Sequence, residues 1–141
     1  RIISVFPPYQ HKQVRTQLSS SLKGIVSMRL MPRADGKGRV PAVEVLVATI
    51  TVNDCILDPD KTKLLPDVIA QGAVHYNMQT FDQSLFSLYK SGLITYADAL
   101  RGATNPDDFV LKVKGIQSTS DLTYESPQTQ KDQMKIDRFA K

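Results

Sequence analysis

Gly36-Lys37-Gly38 holds the one Gly-Lys pair in this 141-residue chain, so it is where a phosphate-binding loop would have to be. Such a loop needs Gly-x-x-x-x-Gly-Lys-Ser/Thr: glycines let backbone N–H groups cradle the phosphates, and the hydroxyl holds magnesium. Here Gly38 stands where the hydroxyl is required and Met31 where the first glycine is required. The pair therefore reads as a turn. Metal ligands fare no better, because His11 and His75 are far apart and Cys55 has no partner at ligand spacing. His75 follows a glycine that can end a helix and reads as a surface or interface histidine. Cys55 lies between Val52 and Ile56 at helical spacing, which favours a small core side chain; a thiol nucleophile with a histidine base is the enzymatic alternative. Asp58-Pro59-Asp60 reads as a turn and helix start. Apart from that thiol alternative, no catalytic group, metal site or cofactor site is expected from these residues.

Charge is unevenly placed. Residues 1–39 carry eight Lys or Arg and one acid, Asp35, whereas the rest carries ten bases and thirteen acids. A basic segment of this kind meets nucleic acid, a solvent shell, or the acidic face of an identical neighbour in a head-to-tail ring. Arg29, Arg33 and Arg39 are the candidates for an intersubunit or nucleotide-proximal role, because they lie on or near one hairpin. Residues 65–103 could pass for a helix-turn-helix, but Lys90 and Arg101 are too few to track phosphates, so no nucleic acid is expected there. The single cysteine fits a reducing compartment. No apolar run approaches the length of a membrane span, and residues 1–15 lack the apolar centre of a signal peptide. Arg1-Ile2-Ile3-Ser4-Val5-Phe6 reads as the inside of an element, so a piece of a longer chain is expected.

Several elements must position these groups. Pro7-Pro8 open a helix running to about Leu22, with Val14, Leu18 and Leu22 as its buried line. Val26, Met28 and Leu30 alternate with polar residues as a strand, Asp35-Gly36-Lys37-Gly38 turns, and Val40 to Ala48 returns. Val43, Val45 and Val47 on one face and Leu46 and Ala48 on the other predict burial on both sides. An isolated hairpin is marginal in water, so this one should join a larger sheet or be covered by helices. Helices are predicted near 51–57, from Pro66 to a stop at Gly72, from Thr80, from Thr95 and from Asn105-Pro106. Thr80 with Gln83 and Thr95 with Asp98 both read as capping boxes. Phe81, Leu85 and Leu88, with Tyr89 beside them, form one stripe; Ala97, Leu100 and Ala103 form the next, and Gly92 separates the two helices. Phe109 and Val113 carry the last helix. Asp82, Gln83 and Tyr89 offer polar contacts beyond the needs of packing, so the pair of helices at 78–103 reads as a docking and mechanical surface. Residues 116–141 read as a polar tail. No internal repeats are present.

Several of these strings resemble a known family, the hexameric ATPases that power type IV pilus retraction, within the type II/IV secretion ATPase superfamily. They are Arg1-Ile2-Ile3 with Val5-Phe6-Pro7-Pro8, Met28-Arg29-Leu30, Pro32-Arg33, Asp35-Gly36-Lys37-Gly38-Arg39-Val40, Met78-Gln79-Thr80-Phe81-Asp82-Gln83-Ser84-Leu85, Leu88-Tyr89 and Gly92-Leu93-Ile94-Thr95-Tyr96. The resemblance covers about residues 1–115. It implies an α/β chain from the C-terminal portion of a RecA-like P-loop ATPase domain. Residues 1–49 would complete the core as a helix plus a hairpin at about 25–48, and 50–115 would form a helical C-terminal subdomain. It also implies ATP and magnesium in the parent protein, whose Walker A and B motifs lie outside these residues, so that this chain alone should not hydrolyse ATP. The implied assembly is a homo-hexamer at the cytoplasmic face of the inner membrane, peripherally associated and acting on the pilus platform protein. The family's short helix carries two arginines; Thr51-Val52-Asn53-Asp54-Cys55-Ile56-Leu57 has none, which points to a paralogous pilus or type II secretion ATPase as the alternative output.

Overall fold

The computed structural model describes residues 2–115. The polar tail expected at 116–141 lies outside the described residues. Along the chain run α1 (His11–Ser21), β1 (Gly24–Pro32), β2 (Arg39–Val47), α2 (Ile50–Leu57), α3 (Leu65–Gln71), α4 (Ala73–Tyr76), α5 (Phe81–Lys90), α6 (Tyr96–Gly102) and α7 (Pro106–Val113), with short 3₁₀ turns at Ile3–Val5, Pro8–Gln10 and Thr62–Leu64. The mixed α/β class expected from the sequence is what the structure shows. Pro7-Pro8 open a 3₁₀ turn, and α1 proper begins only at His11.

β1 and β2 pair antiparallel from Gly24 opposite Val47 to Pro32 opposite Arg39. Alternation along the ladder divides the side chains. Met31, Ala42 and Leu46 face inward and are buried. Val26, Met28 and Leu30 face the other way and are 73%, 62% and 53% exposed. On β2 both faces are at least half-buried from Val43 onward, as expected, with Leu46 buried and Val43, Val45, Val47 and Ala48 half-buried, but nothing among the described residues covers the β1 half of the outer face.

The two edges of the hairpin also differ. The outer edge of β2 is closed, because Val45 exchanges two backbone bonds with Gln79 (2.8 and 3.0 Å). The Gln79 side chain donates to the Val43 carbonyl at 2.7 Å, and Val43 N–H donates to Ser84 Oγ at 3.0 Å. Pro41 falls on this same edge, where its missing donor costs no ladder bond. On β1 the outward backbone groups belong to Val26, Met28 and Leu30, and these find no partner among the described residues.

Two apolar clusters hold the fold. Met31, Ala42, Phe81, Leu85, Ile94, Ala99 and Phe109 form one; Leu46, Val52, Ile56, Ile69 and Met78 form the other. Each joins hairpin residues to helical ones, so the helices from α2 onward pack as a layer on the inner face of the hairpin. Arg15 links α1 to this layer by donating to the Ile56 carbonyl at 2.7 Å and to Thr62 Oγ1 at 3.0 Å.

Gly72 closes α3, the stop expected there, and also begins α4. Its φ is −74°, the chain continues into α4, and the left-handed residue that ends the turn is Asn77 at φ 53°. A Cβ at Gly72 would lie 2.8 Å from Met78 Sδ, so a larger residue there would displace the Met78 side chain. The buried face of α6 also differs from expectation: Ala99 is fully buried while Ala97 is exposed. The cause lies just upstream. Ile94 precedes the cap residue Thr95 and joins Ala99, four residues into the helix, in one cluster. This is a hydrophobic staple, and it sets which way α6 faces.

Candidate functional site

The tip of the hairpin is a rigid, basic protrusion. Gly36 and Gly38 have φ of 69° and 91°, a region that glycine enters without Cβ strain. Arg33 Nη2 meets Asp35 Oδ2 at 2.7 Å, and its Nε donates to the same carboxylate. Ala34 N–H donates to the Leu93 carbonyl at 2.9 Å, fastening the tip to the turn between α5 and α6. The N–H groups that a phosphate cradle would need are already engaged: Gly36 donates to the Arg33 carbonyl and Lys37 to Asp35 Oδ1. This turn does not fit ATP. Lys37 and Arg39 project from it exposed.

The hydrogen bonds from Arg33 and from the Lys37 N–H hold the Asp35 carboxyl down to about 2. A carboxyl depressed in this way contributes to the native turn above the ordinary carboxylate pKa, ~3.9. The contribution is lost as pH falls through about 2. A carbon-detected titration of Asp35 should give a midpoint near that value, and Arg33→Ala should return it towards the ordinary range. A wild-type midpoint in the ordinary range would contradict the geometry.

The other sequence candidates are placed as follows. The Arg29 guanidinium stacks over the Phe81 ring at 4.1 Å and donates to the Gly102 carbonyl at 3.0 Å. It binds β1 to α5 and α6. Gln83 is buried; its amide completes the Thr80 capping box and also donates to the Ala70 carbonyl at 3.3 Å. Asp82 accepts the N–H groups of Thr104 and Asn105 at 2.6 and 3.0 Å, so it holds the start of α7. Tyr89 stacks edge-on against Tyr96, with ring centres 5.8 Å apart. Thr95 caps α6, but the box is not reciprocal: the shorter Asp98 accepts from Thr95 Oγ1 at 2.7 Å and from Arg101 at 2.6 Å. Cys55 is buried and His75 is exposed. Among the described residues no three His, Cys, Asp or Glu side chains group closely enough to hold a metal ion, and no helix is long and apolar enough to cross a membrane.

A cavity of about 230 Å³ opens where α3 meets the first turns of α5 and α7. Pro66, Ala70 and Phe109 give it apolar walls, and Glu44, Asp67, Asp82 and Asp108 give it four carboxylates, with Lys112 also present. Sequence reasoning missed this site because it joins residues from four elements. One signal was available: Glu44 is a lone acid in the valine-rich strand Val43-Glu44-Val45-Leu46-Val47, on the face shared with Ala42 and Leu46.

No protein-family profile matches the chain. Individual proteins do. It is 42% identical over 130 residues to the type IV pilus ATPase PilU of Pseudomonas aeruginosa, covering 92% of this chain and 33% of that protein. Against a twitching motility protein of Neisseria gonorrhoeae the identity is 38%, covering 76% of this chain and 28% of that protein. Against the pilus retraction ATPase PilT of P. aeruginosa it is 34%, covering 77% and 31%. The crystal structure of the pilus retraction motor PilT with bound ADP superposes with a TM-score of 0.63 at 37% identity, covering 76% of this chain and 29% of that one. The chain thus spans about a third of the length of the curated relatives it matches. By sequence over most of its own length, and by fold, it belongs to the PilT-like type IV pilus ATPases.

Proposed function

We propose that this chain is the hairpin-and-helix part of a motor ATPase that drives pilus retraction and twitching, and that it serves ring assembly and force transmission. The observation that carries the reading is the sequence relation to PilU and PilT across residues that also superpose on a retraction motor. The open side of β1 supports it. A long edge bearing exposed Val26, Met28 and Leu30 is a liability in isolation. It is an asset if a further strand and its apolar layer complete the sheet. ATP and magnesium would be bound by residues outside this chain, in a homo-hexamer at the cytoplasmic face of the inner membrane, peripherally attached and acting on the pilus platform protein. The division at residue 49/50 is part of this proposal.

A second reading rests on one segment. Thr51–Leu57 presents no arginine, and the identity to PilU is 42% where that to PilT is 34%. This favours a paralogous motor whose output differs from that of the retraction ATPase. One experiment separates the two: delete the full-length gene in its host, then assay twitching and surface pili. The retraction reading expects lost twitching with accumulated pili. Normal pilus number and normal twitching would reject the retraction reading and leave only a paralogue with an output outside pili, such as type II secretion, whereas twitching loss without accumulation would favour a pilus paralogue. The purified full-length protein should hydrolyse ATP, and the 141-residue chain alone should not; magnesium-dependent turnover by the chain alone would be the contrary result.

A further inference from the structure

We propose that the hairpin tip of one copy docks into the acidic cavity of a second copy, Lys37 and Arg39 entering beside Glu44 and Asp67. The proposal rests on reading the full-length protein as a multi-subunit motor, and it names the contact that joins neighbours. Charge complementarity carries it. Residues 1–39 hold eight bases and one acid, while residues 40–115 hold nine acids and six bases. Within the cavity, Asp82 and Asp108 already bond the segment 104–105, whereas Glu44 and Asp67 make no ion pair among the described residues. At the tip, Asp35 holds Arg33, and Lys37 and Arg39 make no ion pair among the described residues.

The position of the two surfaces decides between intramolecular and intermolecular contact. Thr80, Asp82 and Gln83, at the start of α5, line the cavity. The tip is fastened to Leu93, beyond the other end of α5. Ten residues of helix separate them, which is about 15 Å. The tip therefore cannot fill the cavity of its own copy. A tip and a cavity at opposite ends of one rigid element form a head-to-tail pair, which generates a closed ring or an open filament. The tip is also already ordered by its internal bonds, so little conformational freedom is lost on docking. The apolar walls provided by Pro66, Ala70 and Phe109 suit the methylene stems of lysine and arginine.

The test uses the full-length protein and two reversals. One variant carries Lys37→Glu and Arg39→Glu; the other carries Glu44→Lys and Asp67→Lys. Asp67→Lys alone serves as a milder change at an exposed position, and thermal melts confirm folding of each. Sedimentation velocity should show self-association weakened ~100-fold or more in either reversal, since like charges are brought together at the contact. An equimolar mixture of the two reversals should recover assembly, because each tip then meets a cavity of opposite sign. So should a single chain carrying all four changes. Recovery of neither would overturn the proposal. So would unchanged association in the tip variant, or weakening by the cavity variant alone, which would give the cavity a different basic occupant. A wild-type protein that remains monomeric would overturn it as well. ATP hydrolysis measured alongside separates this failure from the failure of the motor reading: a wild type that hydrolyses ATP but ignores both reversals removes the docking contact only.

Discussion

Replacing Phe109 by alanine is expected to destabilise the fold by about 3–5 kcal/mol, the range for removing a buried aromatic side chain. Phe109 is 1% exposed. It packs in the cluster with Leu85, Ile94 and Ala99, and its ring meets Phe86 edge-on with centres 6.4 Å apart. It is also the apolar residue that fastens α7 to α5, so its loss frees one wall of the acidic cavity. Set against a whole-domain stability of ~5–15 kcal/mol, the change is large. Urea denaturation followed by circular dichroism measures it. A loss below about 1 kcal/mol would mean that the neighbours collapse into the space and that α7 is held mainly by its Asn105 cap.

Asp82→Ala is expected to cost about 1.5–3 kcal/mol, the range for hydrogen bonds to a charged group. Its carboxylate accepts two backbone N–H groups, from Thr104 and Asn105, across 22 and 23 residues of chain. No other side chain among the described residues is shown accepting those two groups. Thr80→Ala, by contrast, removes a helix cap worth ~1 kcal/mol. Asp82→Ala should therefore be the more damaging of the two in the same denaturation experiment, and Asp82→Asn should recover part of the loss. Equal costs for Asp82→Ala and Thr80→Ala would show that the first residues of α7 are ordered without Asp82. The comparison also bears on function: a charge reversal at Asp82 disturbs α7 as well as any surface, so it is a poor probe of docking. Lys37 and Arg39 are better ones.

The parts of the fold legible in the sequence are those specified by neighbours in the chain. The strand alternation from Val26 to Leu30, the Gly36/Gly38 turn, the Thr80/Gln83 box and the Asn105-Pro106 start each involve residues a few positions apart, and local geometry decides them. What escaped reading depends on distant partners. Gly72 reads as the stop of α3 and is one, but the close approach of Met78 to it is not legible. The face of α6 was misread because Ile94, outside the helix, decides its orientation. Arg29 reads as a free interface charge until Phe81 and Gly102 are seen beside it. The cavity was illegible for the same reason, apart from the odd placement of Glu44. The exposure of Val26, Met28 and Leu30 could not be foreseen, since an apolar strand face reads alike whether its cover lies inside or outside the chain.

The two edges of β2 give its amide hydrogens two separate routes of exchange with solvent. Those of Ala42, Glu44 and Leu46 point towards β1, and are released when the hairpin opens. Those of Val43 and Val45 are held by Ser84 and Gln79, and are released when the start of α5 lifts away. Local openings of this kind have their own free energies, which need not match the global one. Alternate residues of a single strand thus report on two different motions, one of the hairpin and one of the helical layer. A force that peels α5 from the sheet would deprotect the amides of Val43 and Val45 and leave those of Ala42, Glu44 and Leu46 untouched.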